Sequence, residues 1–157
     1  MNQSAPSRTE VENPRGFLSA RVDANGRIKL PARFIEYLEQ LPSKRMYITQ
    51  INGMARIYMN GSWERTLDQF MLEPKKRKAL ELVAAKYGED VEVDKTGKIT
   101  LPQALRRELK LEGETIQMLF DRDVARIYNT VQHDKATEAA EAFVSEFIEE
   151  AEEFGLI

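Results

Sequence analysis

The block VDANGRIKLP at 22–31 returns as VDKTGKITLP at 93–102, so that Asp23, Gly26, Ile28, Leu30 and Pro31 are matched by Asp94, Gly97, Ile99, Leu101 and Pro102. A second block, Ala55-Arg56-Ile57-Tyr58, returns as Ala125-Arg126-Ile127-Tyr128. Matched blocks in the same order, 71 and 70 positions apart, mark an internal duplication. Each copy must therefore make the same supersecondary unit.

Each copy parses alike. A strand ending at Val22-Asp23 meets a tight turn at Asn25-Gly26, where glycine tolerates positive φ, and a second strand follows over 27–30. Pro31 and Pro102 sit where a first helical turn needs no amide proton, so each opens a helix. Phe34, Leu38 and Leu41 fall on one face of the first helix, Leu105 and Leu109 on one face of the second. Further strands are expected at 46–50 and 55–59 and at 115–120 and 125–128, turning at Asn52-Gly53 and at Asp121-Arg122-Asp123.

One copy has a β core of about 45 residues, too few to bury a stable core without a metal or a disulfide. Cysteine is absent and histidine occurs once, which removes disulfides, thiolate nucleophiles and cysteine or multi-histidine metal sites. The two copies must share a core, either within the chain or by pairing with other chains, and strand exchange between the halves is the expected means. Helical appendages follow each copy. Ser62 is expected to cap a helix from Trp63, with Leu67 and Phe70 inward, and Pro74 separates it from a second helix over 75–87 that ends at Gly88. Near the C-terminus Ala136, Ala140, Phe143, Phe147, Ala151 and Phe154 form one apolar stripe on an otherwise glutamate-rich helix, expected to pack on the body or on a neighbouring subunit. The reading divides the chain into an aperiodic, disordered extension at 1–14, a first copy with its appendage at 15–87, and a second copy with its acidic helix at 88–157.

The 157 residues are 42% hydrophobic and 31% charged, the balance of a folded soluble protein. The formal net charge is −3, but residues 134–157 hold eight acidic groups and one basic, so the first 133 residues together carry +4. The longest charge-free stretch, 46–55, is far below the roughly 18 apolar residues that a membrane span needs. The N-terminus MNQSAPSRTEVENP has no apolar core of a secretion signal, so a cytoplasmic location is expected.

No GxGxxG, GxxxxGK[ST] or GxSxG pattern occurs, and His133 reads as a solvated surface residue. An enzyme is not expected, and neither a cofactor nor a small-molecule substrate is called for. The turn loops are the candidate contacts. Asp23 and Asp94 suit capping of their own turns, while nothing in turn chemistry requires the cations Arg27 and Lys98. Arg21, Lys29 and Arg33 add positive charge beside the first loop, and Lys95, Arg106 and Arg107 beside the second, a pattern that neutralises phosphates. Lys75-Lys76-Arg77-Lys78 reads as the solvated start of a helix, and Arg56 and Arg126 as the exposed face of a strand.

The order Arg15-Gly16, VDANGRIKLP, Trp63-Glu64, VDKTGKITLP resembles the MraZ family of bacterial transcriptional regulators, over 15–143. Each copy also resembles the AbrB/SpoVT group. The resemblance implies an α+β fold, mainly β: a tandem swapped-hairpin AbrB-like barrel with flanking helices. It implies a sequence-specific regulator of transcription that binds double-stranded DNA at repeats upstream of the division and cell-wall gene cluster. It further implies a ring-shaped homo-oligomer, associated with the nucleoid, without a membrane partner. The family's DxxxR loops, its DNA-contacting elements, fall on Asp23 and Arg27 and on Asp94; Lys98 stands where the family usually has arginine and lacks the planar two-point contact of a guanidinium. Two other readings share the fold group. An antitoxin would have one copy and a disordered arm instead of two copies and a helical tail, and a ring scaffold would have lost DNA binding.

Overall fold

In the computed structural model, which describes residues 11–157, the first strand of each copy pairs with the other copy. Strand β1 (Leu18–Arg21) runs antiparallel to β7 (Thr115–Asp121), and β5 (Glu89–Val91) runs antiparallel to β3 (Met46–Ile51). The two ARIY strands, β4 (Met54–Tyr58) and β8 (Val124–Tyr128), pair at the centre. The six-stranded order is β1-β7-β8-β4-β3-β5. A separate two-stranded ribbon joins β2 (Arg27–Lys29) to β6 (Lys98–Thr100). Helices α1 (Ala32–Glu39), α2 (Ser62–Asp68), α3 (Pro74–Tyr87), α4 (Gln103–Leu109) and α5 (Thr130–Glu153) complete the α+β fold. The exchange expected between the copies is present. Among the described residues the strand ladders are two, with β1 and β5 at open ends, and not one closed hydrogen-bonded barrel.

Swapping the two copies leaves this topology unchanged. The pair Leu18↔Met118 maps onto Glu89↔Ile48, Ser19↔Gln117 onto Asp90↔Tyr47, and Ala20↔Ile116 onto Val91↔Met46. A pseudo-two-fold axis therefore passes between Arg56 and Arg126 in the sheet and between Ile28 and Ile99 in the ribbon. The alternation of the strands sends Ala55, Ile57, Ala125 and Ile127 to the core and Arg56 and Arg126 to the opposite face. Pro31 and Pro102 each precede a helix as expected; α1 buries Phe34, Tyr37 and Leu38, and α4 buries Leu105. Both copies contribute to one contiguous core.

The hairpin turns differ in chemistry. Asn52-Gly53 has φ of 53° and 77°, the left-handed pair that a two-residue turn demands and that these residues accept readily. Its counterpart, Arg122-Asp123, takes φ of 53° and 64° with residues that resist it. Asp123 is held there by its neighbours. The Tyr37 hydroxyl donates to Asp123 Oδ1, Asn60 Nδ2 donates to Oδ2 at 3.0 Å, and Arg65 Nη2 donates to Oδ2 at 3.3 Å. Ser62 is part of this network and not a helix cap. Gly61 occupies the cap with φ 73°, while the Ser62 hydroxyl donates to the Asp123 carbonyl and accepts from the Met59 amide, both at 3.0 Å.

Most of the extension expected over 1–14 lies outside the described residues. Val11 packs against the core, and Asn13 Oδ1 accepts from the Asp123 amide at 3.2 Å. His133 is half-buried, not solvated: its ring meets Phe17 edge-on at 4.7 Å. Helix α5 starts at an Asn129–Gln132 capping box, and of its apolar stripe only Ala151 is buried.

The Asp123 network carries a stability prediction. Asp123→Ala strands the buried Tyr37 hydroxyl and should cost about 1–3 kcal/mol, against about 1 kcal/mol for Tyr37→Phe. The double variant should cost less than the sum, because both changes break one bond. Urea unfolding of the three variants measures it.

Candidate nucleic-acid interface

The two repeated loops fold identically at the backbone. The Asp23 amide donates to the Arg27 carbonyl at 2.9 Å and the Gly26 amide to the Asp23 carbonyl at 3.0 Å; Asp94, Lys98 and Gly97 repeat these bonds at 2.8 and 3.1 Å. Each aspartate then caps its loop. Asp23 Oδ1 accepts from the amides of Asn25 and Arg27 at 2.8 and 2.9 Å. Asp94 Oδ1 accepts from the amides of Thr96 and Lys98 at 2.8 and 3.0 Å and from the Thr96 hydroxyl at 2.7 Å. The Asp23 carboxyl is drawn below its usual 3.8, first by the Arg27 amide and then, against opposing desolvation, by the Asn25 amide and the charges of Arg27 and Lys98. Asp94 is drawn below 3.8 chiefly by the Thr96 hydroxyl and then by the Lys98 amide.

The ribbon brings the loops to one surface. Ile28 and Ile99 face each other and are buried, so their neighbours Arg27, Lys29, Lys98 and Thr100 turn outward. The Leu30 amide donates to the Gly97 carbonyl at 3.0 Å and the Leu101 amide to the Gly26 carbonyl at 2.9 Å, so each loop is fastened to the other copy's strand. Lys29 stands directly opposite Lys98 in the register. Like charges so placed repel, and an anion between them relieves the repulsion. Arg27 Nε lies 4.0 Å from Asp23 Oδ2 with about half its side chain exposed.

The remaining expected contacts fall into two groups. Arg21, Lys95 and Arg107 are exposed, Arg21 at the end of β1 and Lys95 in the second loop itself. Arg33 is exposed but donates to the Arg15 carbonyl at 2.6 Å, on the N-terminal segment. Arg106 is mostly buried, 3.4 Å from Glu112 and packed beneath Gly26, where a Cβ would meet its Cδ at 2.1 Å. Sequence reading missed this bracing of the first loop. The repeat held the signal: the matching residue in the first copy is Ile35, packed against the core, so this position points inward. Among the described residues no group of three histidine, cysteine, aspartate or glutamate residues could hold a metal ion, and no helix is long and apolar enough to cross a membrane.

Two outcomes follow from this geometry. Both folded-state carboxyl values are depressed, so the loop order they support is present above the usual 3.8 and is lost as pH falls through the lowered values. Carboxyl-carbon NMR titration should place both midpoints below 3.8, and Thr96→Val should move Asp94 back toward it while leaving Asp23 unchanged. Gly26 and Gly97 have φ of 76° and 81°, so alanine at either should cost about 1–2 kcal/mol in backbone strain. Gly26→Ala must also displace Arg106, whereas nothing lies within 4 Å of a Cβ at Gly97. Thermal or urea unfolding should rank Gly26→Ala as the more destabilising.

No family model matches the chain. It is 32% identical over 143 residues to the transcriptional regulator MraZ of Koribacter versatilis, covering 84% of this chain and 97% of that protein. It is 35% identical to the MraZ regulator of Acidobacterium capsulatum over 107 residues, 65% of this chain and 73% of the relative. Identity to the MraZ regulator of Syntrophotalea carbinolica is 30% over 146 residues, 90% of this chain and 97% of the relative. With a duplicated, strand-exchanged fold and coverage of nearly the whole length of two such relatives, the chain belongs to the MraZ family of transcriptional regulators.

Proposed function

We propose that the protein regulates transcription by binding double-stranded DNA through the outward face of the β2–β6 ribbon and its two loops. The observation that carries this is the ribbon itself: a two-stranded element of the kind that enters a major groove, with Arg27, Lys29 and Lys98 projecting from a buried Ile28–Ile99 base. Arg27 is the base reader, its guanidinium able to bond two guanine acceptors while Asp23 orients it. Lys98, Lys29, Lys95, Arg21 and Arg107 neutralise phosphates, and Arg106 supports the first loop from beneath. Arg33, tied to the N-terminal segment, contributes charge at the periphery.

The family suggests the finer reading: repeats upstream of the division and cell-wall gene cluster as the target, a ring-shaped homo-oligomer as the binding form, and the nucleoid as the location. One loop pair with a few cations binds weakly, so several copies on neighbouring repeats supply the affinity.

Titrations of natural and scrambled repeats at two salt concentrations test it. Arg27→Ala should lose roughly the 1–3 kcal/mol of discrimination that one bidentate contact supplies. Lys98→Ala should weaken both DNAs alike and lower the salt slope by about one unit. Full sequence preference in Arg27→Ala would remove this loop as the reader.

A further inference from the structure

We propose that the face of the six-stranded sheet opposite the ribbon holds a second ligand site, which takes a small phosphorylated molecule with a phosphate between Arg56 and Arg126. The proposal goes beyond the DNA reading and does not rest on it.

The repeated ARIY block sets the centre of the site. Strands β4 and β8 are antiparallel neighbours, and their register places Arg56 directly opposite Arg126. Residues so paired have Cβ atoms roughly 4.5–5.5 Å apart, and like charges at that spacing repel. Arginine cannot escape the repulsion by losing its proton. Both residues are half-buried, and neither has an ion pair among the described residues. Arg56 Nε is sealed from solvent and meets no hydrogen-bond partner among those residues. A buried charged donor without an acceptor is destabilising, and an anion bound to both guanidinium groups satisfies the donor and the charges together.

The surroundings fit a phosphate. A cavity of about 370 Å³ is lined by Arg56, Arg126, Arg65, Arg122 and Asp121, a volume within the roughly 300–1,000 Å³ of small-ligand sites. Arg65 is already held by the Asn60 carbonyl at 2.7 Å and by Asp123 at 3.3 Å. Asp121 lies 3.9 Å from Arg122, and both are largely exposed, so solvent screens that pair. The uncompensated charge is therefore that of Arg56 and Arg126, which one phosphate group at roughly −1.5 to −2 matches. Arg122 stands ready for a second. It occupies a left-handed turn position with φ of 53°, where the first copy has Asn52, a residue that accepts this conformation readily. The turn gains nothing from an arginine there, whereas the cavity gains a cation.

Duplex DNA on the ribbon does not reach this cavity. The axis that passes between Arg56 and Arg126 also passes between Ile28 and Ile99. Ala55, Ile57, Ala125 and Ile127 share a core with those isoleucines, so strand alternation sends the two arginines to the far side of the sheet.

Calorimetric titration and thermal unfolding of the full chain, with inorganic orthophosphate and pyrophosphate at fixed ionic strength, test the site. Both anions should bind saturably and raise the melting temperature, pyrophosphate about tenfold more tightly through its added contact to Arg122. Arg56→Gln/Arg126→Gln should weaken both by about a hundredfold. Arg122→Gln, at an exposed position outside the core, should remove the advantage of pyrophosphate and leave orthophosphate unchanged. Arg27→Ala/Lys98→Ala should leave both affinities unchanged. ADP separates the sources: affinity through the same arginines at or above that of pyrophosphate supports an esterified ligand, and lower affinity supports the free anion. No saturable binding to the wild-type chain, or undiminished binding to Arg56→Gln/Arg126→Gln, would overturn the proposal. An altered sedimentation of that variant without any anion would also overturn it, by assigning the arginines to a contact between copies. So would displacement of pyrophosphate by duplex DNA from Arg27→Ala/Lys98→Ala, by assigning them to DNA.

Discussion

Ile28 and Ile99 face each other across the β2–β6 ribbon with almost no solvent exposure, and that contact exists only because the two copies interleave. Neither copy has enough apolar surface to bury a core alone, so the exchange is a condition of folding. It also decides where the loops sit. Each is bonded at its glycine carbonyl to the other copy's strand, and the bonds between Val22 and residues 113 and 114 tie the start of the first loop to the second copy. The candidate DNA-reading surface and the core are therefore one cooperative unit. Fully burying each isoleucine stabilises by roughly 1.5–3 kcal/mol, and the same burial turns Arg27, Lys29 and Lys98 outward.

Much of this was legible from repetition and local chemistry. The strand-turn-strand pattern, the proline-opened helices and the aspartate caps depend on neighbours in sequence, and Asp23 and Asp94 bond as turn chemistry requires. Partners distant in sequence were not legible. Ser62 has the composition of a helix cap, yet its hydroxyl bonds to a turn 61 residues away because the ARIY strands pair. His133 looks solvated beside Gln132 and Asp134 until β1 delivers Phe17 to its ring. Trp63, a marker of the family resemblance, lies against Tyr47 and Tyr58 at 5.2 and 4.9 Å, a cluster set by the β3–β4 register.

The site was legible in its cations but not in their division of labour. Arg27 and Arg106 are equally basic in sequence, yet one leaves an exposed ribbon and the other braces a glycine from below. The difference arises because α4 of the second copy packs under the loop of the first, another product of the exchange. Where the first copy has Ile35, the second has Arg106, so the two loops rest on unlike foundations.

That divergence has a consequence for the kind of DNA the fold suits. A protein with an exact two-fold axis presents identical elements in opposite directions and matches palindromic sites. Here the axis is only approximate: it relates Arg27 to Lys98, Ile35 to Arg106, and the basic α2–α3 end to the acidic α5 end. The chain has a direction. A single chain therefore matches an asymmetric element better than a palindromic one. Duplication supplied two loops and a shared core; unequal substitution of the copies supplied the polarity.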